Sequence, residues 1–493
     1  MNKLFYGDNL TIMKKMSSES VALIYLDPPF NSNRSYNLLY KNTTGLPIPE
    51  QTEAFCDTWE MDFEKSELAS DIPHIMQEYG INADTVHFWH YMVEALKMTD
   101  TKLLAYLVYM TVRIIEMYRL LTKSGSLYLH CDPTASHYLK VIMDGIFGHK
   151  NFKNEIVWHY SGWNKKLKDK FESRHDVILY YAKGDNSTQF NGYSIPWENE
   201  TEYIKTRKQK VLVDENGDKY VMSDAGNGKR IKRYIKDALK YGSPIDDVWN
   251  IDKINNSSKE RLGYPTQKPI ALLERIIQAS SKEGDVVFDP FCGCGTTVEA
   301  SIRNNRQWVG CDIAIHSIRL IQDTRIKKYA LVEGKDYTIE GIPQSTEQAQ
   351  YLFEQDPFQF QHWSIEKTGG FCSNRKTGDS GIDGRIYFEA GNKLCSMVLS
   401  VKGGNIKPTD IRDLRGVLER ESDVEMAGFI SLHEPTKAMI QEADAAGYYE
   451  YQGVKYPRIQ LLTITQIFEG KTWYCPSVVK AQRKEGGQTY LNI

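Results

Sequence analysis

Apolar residues along this chain fall into two rhythms, and the change from one to the other predicts the fold. Continuous apolar runs that stop at a turn signal read as buried strands, and apolar positions three and four apart read as helices. Residues 3–6 form a short strand that ends at Gly7-Asp8-Asn9. A helix over about Leu10 to Met16 follows, then the run Leu23-Ile24-Tyr25-Leu26, which stops at Asp27-Pro28-Pro29-Phe30. Residues 31–60 are rich in Asn, Ser, Gly and Pro and read as a long loop. From Thr101 to Leu121 helical spacing recurs at Leu104, Leu107, Val108, Ile114, Ile115 and Tyr118, and Lys123-Ser124-Gly125 ends that helix. Strands are expected at 126–130, 154–159 and 175–181, with a helix over about 134–147. The last two strands, joined by the basic loop 161–174, are expected to form an antiparallel edge.

Periodicity weakens over 184–260, which reads as an inserted module, and returns at Pro269–Ile277. A strand at 285–288, a Gly-rich turn, a helix from about Thr296 and a strand at 308–310 have the spacing of a parallel βαβ unit. The expected fold class is therefore α/β, a mostly parallel sheet with helices on both faces, followed by a smaller C-terminal α/β domain. The expected boundaries are 1–340 for the first domain, with the insertion at about 184–260, then a connector at 341–356 and a second domain at 357–493.

Length agrees with this division, since 493 residues exceed one typical domain. The 41% hydrophobic content supports large cores, and no continuous apolar run is long enough to cross a membrane. No signal-like apolar core precedes the first acid, so a cytoplasmic protein without a membrane is expected. Eight cysteines at irregular spacing do not make a disulfide framework. Net charge is only −3, but its distribution is uneven. Residues 201–240 hold 11 Lys/Arg against 6 Asp/Glu, whereas residues 50–71 hold 8 acids and a single lysine. The basic stretch could meet phosphates and the acidic one would repel them.

Two motifs carry candidate chemistry. Asp27-Pro28-Pro29-Phe30 ends a strand with a carboxylate, a free carbonyl and a ring, held by two prolines that lack an N–H. Such a stiff acceptor pair suits a planar group bearing an amino donor, for example a nucleobase. The second motif is Asp289-Pro290-Phe291-Cys292-Gly293-Cys294-Gly295-Thr296. Gly293 and Gly295 permit a tight turn and close approach of a ligand, and Asp312 ends the next strand 23 residues after Asp289. No third glycine stands in dinucleotide register and no G-K-[ST] is present, so an adenosine ligand without phosphates is favoured. S-adenosylmethionine fits, with Asp289 facing its ammonium and Asp312 its ribose. Cys292, Cys294 and Cys311 lack zinc-site spacing and read as packed residues, so no metal is expected there.

These motifs together resemble the S-adenosylmethionine-dependent DNA amino-methyltransferases that act at adenine N6 or cytosine N4. The order, catalytic Asp27-Pro28-Pro29-Phe30 before cofactor Phe291-Cys292-Gly293-Cys294-Gly295, is that of the circularly permuted beta class with its Rossmann-like sheet. The resemblance implies catalytic roles for Asp27, Pro28, Pro29 and Phe30. It also implies cofactor contacts by Asp8, Lys268 of Thr266-Gln267-Lys268-Pro269, Asp289, Phe291, Gly293, Gly295 and Asp312. Double-stranded DNA is the implied partner, with the target base flipped out and Phe30 the stacking candidate. Tyr36 is a weaker candidate for the same pocket. Lys205, Arg207, Lys208, Lys210, Lys229, Arg230, Lys232 and Arg233 are candidate phosphate contacts. C5-cytosine chemistry needs a Pro-Cys nucleophile, and only the reversed Cys475-Pro476 occurs.

The C-terminal domain resembles the restriction-endonuclease-like fold, closest to Mrr-type nucleases, through Gly381-Ile382-Asp383-Gly384 and Ser400-Val401-Lys402. In that family an Asp, a Glu or Gln, and a Lys hold a divalent metal such as Mg²⁺. Here Asp383 and Lys402 match but Ser400 replaces the acid or amide. The expected function is site-specific methylation of adenine N6 in DNA within a restriction-modification or phage-defence system. Cytosine N4, or a bifunctional methylase-nuclease that cleaves DNA, is the alternative. A homodimer or a restriction subunit is the expected assembly.

Overall fold

The computed structural model describes residues 2–29, 59–162, 167–169, 171–184, 188–192, 194–226, 228–255, 257–264, 266–372, 381–390, 393–421 and 424–476, with backbone alone at 35–38, 52–56, 389, 393 and 394. Nine strands form the central sheet. In chain order they are β1 Asn2–Tyr6, β2 Val21–Leu26, β3 Leu121–Cys131, β4 Phe152–His159, β5 His175–Ala182, β6 Val248–Asn250, β7 Val286–Asp289, β8 Gln307–Asp312 and β9 Tyr337–Glu340. Across the sheet they run β6-β4-β5-β3-β2-β7-β8-β1-β9. Every neighbouring pair is parallel except those made by β5, which is antiparallel to both β3 and β4.

Strand alternation divides each strand between two helical layers. Leu23 and Tyr25 of β2 pack with Leu273, Ile276 and Ile277 of the helix Ile270–Ser280. Ile24 and Leu26 face the opposite layer, built on the helix Thr101–Leu120. That helix is apolar almost all round because it is enclosed, with Leu104, Leu107, Ile114 and Ile115 fully buried. Asp100 caps it, accepting from the Leu103 amide at 2.9 Å. Burying each such side chain contributes about 1.5–3 kcal/mol.

Two local expectations change, and one segment without a reading gains structure. The antiparallel pair β4–β5 exists, but it is not the edge: β6 returns from the insertion and pairs outside β4, Trp249 opposite Trp158. The stretch 31–60 is not a bare loop, since 35–38 and 52–56 pair as antiparallel strands. The charged segment beyond it folds as two helices, Phe63–Glu78 and Ala83–Thr99, capped by Asp62 and Asn82. Their apolar positions (Ile72, Met76, Trp89, Val93) are diluted by exposed charge, which hides the helical rhythm.

Within the insertion, strands Val211–Val213, Lys219–Asp224 and Arg230–Tyr234 form a small antiparallel sheet. Tyr203, Val221, Ile235 and Ala238 are its own apolar centre. Beyond β9, the helices Thr346–Gln355 and Pro357–Lys367 lead into a five-stranded mixed sheet. Its strands are Phe371–Cys372, Gly384–Ala390, Lys393–Lys402, Val424–Ser431 and Ile459–Thr463. One apolar cluster runs from Leu4, Tyr6, Trp308 and Ile315 through Phe360 and Trp363 to Met397 and Leu399. The two sheets therefore share a core. Among the described residues no helix is long and apolar enough to cross a membrane.

Candidate functional site

Parallel strands bring their carboxyl ends to one edge, and the four acids singled out in the sequence sit there. Asp8 follows β1, Asp27 follows β2, Asp289 ends β7 and Asp312 ends β8. Because β7 lies between β2 and β8, the three central acids stand on adjacent strands. β5 runs the other way, so its amino end, with Asp176, reaches the same edge beside His130 of β3.

The Gly-rich turn is built around two positive φ angles. Gly293 has φ 48° and Gly295 φ 74°, which favour glycine. A Cβ on Gly293 would lie 3.2 Å from the Tyr264 ring, and one on Gly295 only 2.6 Å from Ile321. Asp312 fastens the turn from the next strand: it accepts the Gly293 amide at 2.8 Å and the Ala314 amide at 2.9 Å. Asp289 accepts from Thr297 Oγ1 at 2.5 Å and from the Phe291 amide at 3.0 Å. Burial pushes the Asp289 carboxyl up to about 7, against those hydrogen bonds and reinforced by Asp27 and Asp312. Burial likewise raises Asp312 to about 6, against the Ala314 and Gly293 amides. Phe291 packs near Tyr109, with ring centroids 6.4 Å apart.

Asp27 sits between two cation-capable groups. Lys268 pairs with its Oδ2 and also donates to the Thr266 carbonyl at 3.2 Å. The other oxygen, Oδ1, is buried, accepts no hydrogen bond among the described residues, and lies 3.7 Å from His130 Nδ1. His130 is fully buried. Its Nδ1 is 3.1 Å from the Tyr25 hydroxyl and its Nε2 3.3 Å from Asp176 Oδ2. Tyr160 donates to the other Asp176 oxygen at 3.1 Å. Burial works to raise Asp176, but the His130 hydrogen bond and the positive groups at Lys253 and Lys268 outweigh it and hold Asp176 at about 2.

The sequence-predicted residues Asp27, Pro28, Pro29, Lys268, Asp289, Phe291, Gly293, Gly295 and Asp312 thus lie along one crevice, and Phe30 and Tyr36 fall outside the described side chains. Asp8, at the same edge, caps the helix Asn9–Lys15 and pairs with Arg113. Lys268, an expected cofactor contact, pairs with Asp27. Sequence reasoning missed His130, Asp176 and Arg113. The signals were present, since His130 and Asp176 stand at strand ends, but only the antiparallel register of β3 and β5 brings them together.

In the C-terminal sheet, Asp383 accepts from Gln361 Nε2 at 2.8 Å, from Ser400 Oγ at 3.3 Å and from the Val401 amide at 2.6 Å. Lys402 ends the strand beside them and is exposed. Among the described residues no group of three His, Cys, Asp or Glu could hold a metal ion.

A family model described as DNA methylase, of the N6/N4 type, matches residues 21–323. The DNA adenine methyltransferase YhdJ of Escherichia coli K12 is 26% identical over 317 residues, 64% of this chain and 80% of that protein. The type II methyltransferase M.EcaI of Enterobacter cloacae is 27% identical over 49% of this chain and 62% of its own length. M.HpaI of Haemophilus parainfluenzae is 29% identical over 56% of this chain and 73% of its own. Among solved structures, the PvuII DNA methyltransferase (cytosine-N4-specific) aligns with 67% of this chain and 90% of that one, at 14% identity and a TM-score of 0.33.

Proposed function

The chain belongs to the DNA methylase family whose model matches its residues 21–323, and from that membership we propose that it transfers a methyl group from S-adenosylmethionine to adenine N6 in double-stranded DNA. The observation that carries the reading is the edge itself: Asp27-Pro28 and the Gly293–Gly295 turn end adjacent parallel strands, so an amine acceptor and a ligand cradle share one crevice. The adenine assignment follows the named adenine methyltransferase relative, and cytosine N4 is the runner-up.

The crevice residues fit the cofactor. Acids outnumber cations there, which suits a cationic ligand without phosphates; burial raises the Asp289 and Asp312 carboxyls to about 7 and about 6, and a bound cation would favour their ionised forms. Asp289 would face its ammonium, Asp312 its ribose, and Gly293, Gly295 and Phe291 would line the turn around it. Lys268 would hold its carboxylate once released from Asp27, and Asp8 would close the adenine end. Bound there, S-adenosylmethionine supplies an electrophilic methyl on a sulfonium. The chain's own task is to prepare the nucleophile. An exocyclic amine on a base ring has a delocalised lone pair. Asp27 and the Pro28 carbonyl accept its two N–H groups, so the nitrogen moves towards sp³ and presents its lone pair in line. Positioning and stabilisation of the developing charge on nitrogen account for most of the rate. Phe30 would stack on the flipped base. The exposed Lys205, Arg207, Lys208, Lys210, Lys229, Arg230, Lys232 and Arg233 of the insertion would contact phosphates.

For the C-terminal sheet we propose an Mrr-like, DNA-contacting domain that does not cleave. The residues do not fit a divalent cation: Ser400 is a poor ligand, and donors from Gln361, Ser400 and Val401 already surround Asp383. Plasmid DNA with Mg²⁺ and an Asp383→Ala control tests this, and Asp383-dependent nicking would overturn it. The main reading is tested with methyl-labelled S-adenosylmethionine and mixed-sequence DNA, digested to nucleosides. Label in N6-methyldeoxyadenosine supports it, and label in N4-methyldeoxycytidine selects the runner-up. DNA that stays unlabelled while the cofactor binds would sink both.

A further inference from the structure

We propose that His130, aligned by Asp176, is a positioning residue that stands behind Asp27 and takes up the proton the target amine must lose. The inference rests on the amino-methyltransferase reading. Methylation of an N–H amine cannot end at the bond swap. As the nitrogen–carbon bond forms, the sulfur keeps the electron pair of the broken sulfur–carbon bond, and the nitrogen is left cationic with one proton too many. That proton passes to the Asp27 oxygen that holds the amine, and rotation of the carboxyl about its Cβ–Cγ bond carries it to the buried position facing His130 Nδ1, which takes it. Asp27 returns to a carboxylate and His130 becomes an imidazolium paired with Asp176.

Three features of the geometry support this. Asp27 Oδ1 turns inward to a buried place without a hydrogen-bond donor among the described residues, and His130 Nδ1 lies 3.7 Å from it. His130 is oriented from behind. Asp176, bonded also by Tyr160, is ionised and accepts only, so His130 Nε2 carries the hydrogen in the 3.3 Å contact. Nδ1 of the neutral ring then carries no hydrogen; the Tyr25 hydroxyl, 3.1 Å away, turns its own hydrogen aside as Nδ1 takes the proton, and its oxygen then accepts from Nδ1–H. Nucleophile-side group, base and orienting carboxylate follow the same logic as hydrolytic triads, here applied to proton removal. The third feature is the surroundings. Trp158 lies edge-on to the imidazole at 5.5 Å, and a buried site strengthens the pull of Asp176 on a developing imidazolium. The titratable groups facing His130 are Tyr25 from β2, Asp27 from its exit and Asp176 from β5; Cys131, next along β3, packs on the opposite face. Tyr160 and Lys253 approach the Asp176 side, and Lys268 the Asp27 side.

A purely structural histidine would keep the fold and leave the pH dependence alone, and this separates the two roles. The variants are His130→Gln and Asp176→Asn, compared with the full chain in single-turnover labelling of plasmid DNA from pH 5.5 to 8.5. Both should retain cofactor affinity and far-UV circular dichroism, lose about 10²-fold in the transfer rate, and lose the acid limb of the wild-type profile. Wild-type rates with an intact acid limb in either folded variant would overturn the proposal. Imidazole ¹⁵N NMR of the wild-type protein without cofactor is independent of activity and of variant folding. His130 should show a protonated Nε2 and a bare Nδ1, and the reverse tautomer would overturn it. Wild-type protein that labels no DNA at all would defeat the amino-methyltransferase reading instead, which the tautomer measurement does not depend on.

Discussion

At the scale of single residues, charge placement decides what this crevice can hold. Asp27→Ala removes one of the two acceptors for the amine. It should lower methyl transfer by about 10²–10³-fold or more while cofactor binding stays nearly intact, as read by single-turnover labelling and calorimetry. Asp289 carries a pH prediction. Its carboxyl sits at about 7 in the free protein because of burial, so near pH 6 it is mostly protonated, and a cationic ligand must drive a proton off to bind. Cofactor affinity should therefore rise with pH from about 6 to 8, with proton release near neutrality, and Asp289→Asn should flatten that rise. Calorimetry in buffers of different ionisation enthalpy measures both. The raised value also has a sign for folding. The stability that Asp289 contributes is fully present below its ordinary carboxylate range and is lost as pH rises through about 7. Asp27, Asp289 and Asp312 were legible in the sequence because each is tied to a local turn signal, a Pro-Pro pair or a Gly-x-Gly. His130 and Asp176 were not, because their partnership exists only through strand pairing across 46 residues. The pairing of Lys268 with Asp27 was hidden for the same reason, at a separation of 241 residues.

Among elements, the helix Thr296–Arg303 matters most, since it carries the Gly-rich turn at its start. It is anchored by Glu299, fully buried, which accepts from Arg325, Lys328, Arg303 at 2.8 Å and Tyr329 at 3.1 Å. Arg325 also donates to the Cys294 carbonyl at 3.2 Å, so the anchor reaches into the turn itself. Burial works to raise Glu299, but Lys328 and Arg325 outweigh it and hold it low. Glu299→Gln leaves the buried Arg325 charge without its counterion and should cost about 3–5 kcal/mol, seen as a large fall in Tm. Cofactor affinity should fall with it. Glu299 gave no sequence signal, because an acid in a first helical turn is ordinary cap chemistry. Long periodic elements such as Thr101–Leu120 were readable from the chain, whereas Phe63–Glu78 and Ala83–Thr99 were not. Their buried stripe is narrow and their outer faces are charged, so the period is masked.

Across the whole molecule, the two sheets are not beads on a string. Leu4, Tyr6, Trp308, Ile315 and Ile318 belong to the first sheet's side of a cluster completed by Phe360, Trp363, Met397 and Leu399. A chain ended after Ile342 should expose that apolar face, and large exposed apolar patches promote association. Such a truncation should express poorly or bind a hydrophobic dye, in contrast to the full chain, and solubility with dye fluorescence tests it. Order along the chain shows two units, but the shared core does not appear in one-dimensional patterning. It depends on which face of β1 and β8 is turned away from the helix Thr101–Leu120.

The ion pair between Lys268 and Asp27 has a kinetic consequence. While it stands, a flipped base finds the Asp27 Oδ2 acceptor taken. A carboxylate arriving on the cofactor side is what draws the ammonium away, so substrate addition should be ordered, cofactor before DNA. The demethylated product keeps that same carboxylate and should open the pair equally well. It should then capture DNA in a dead-end complex, giving product inhibition that is competitive against the cofactor and mixed against DNA. Initial-rate patterns measure this, and Lys268→Met should abolish the ordering while weakening cofactor binding.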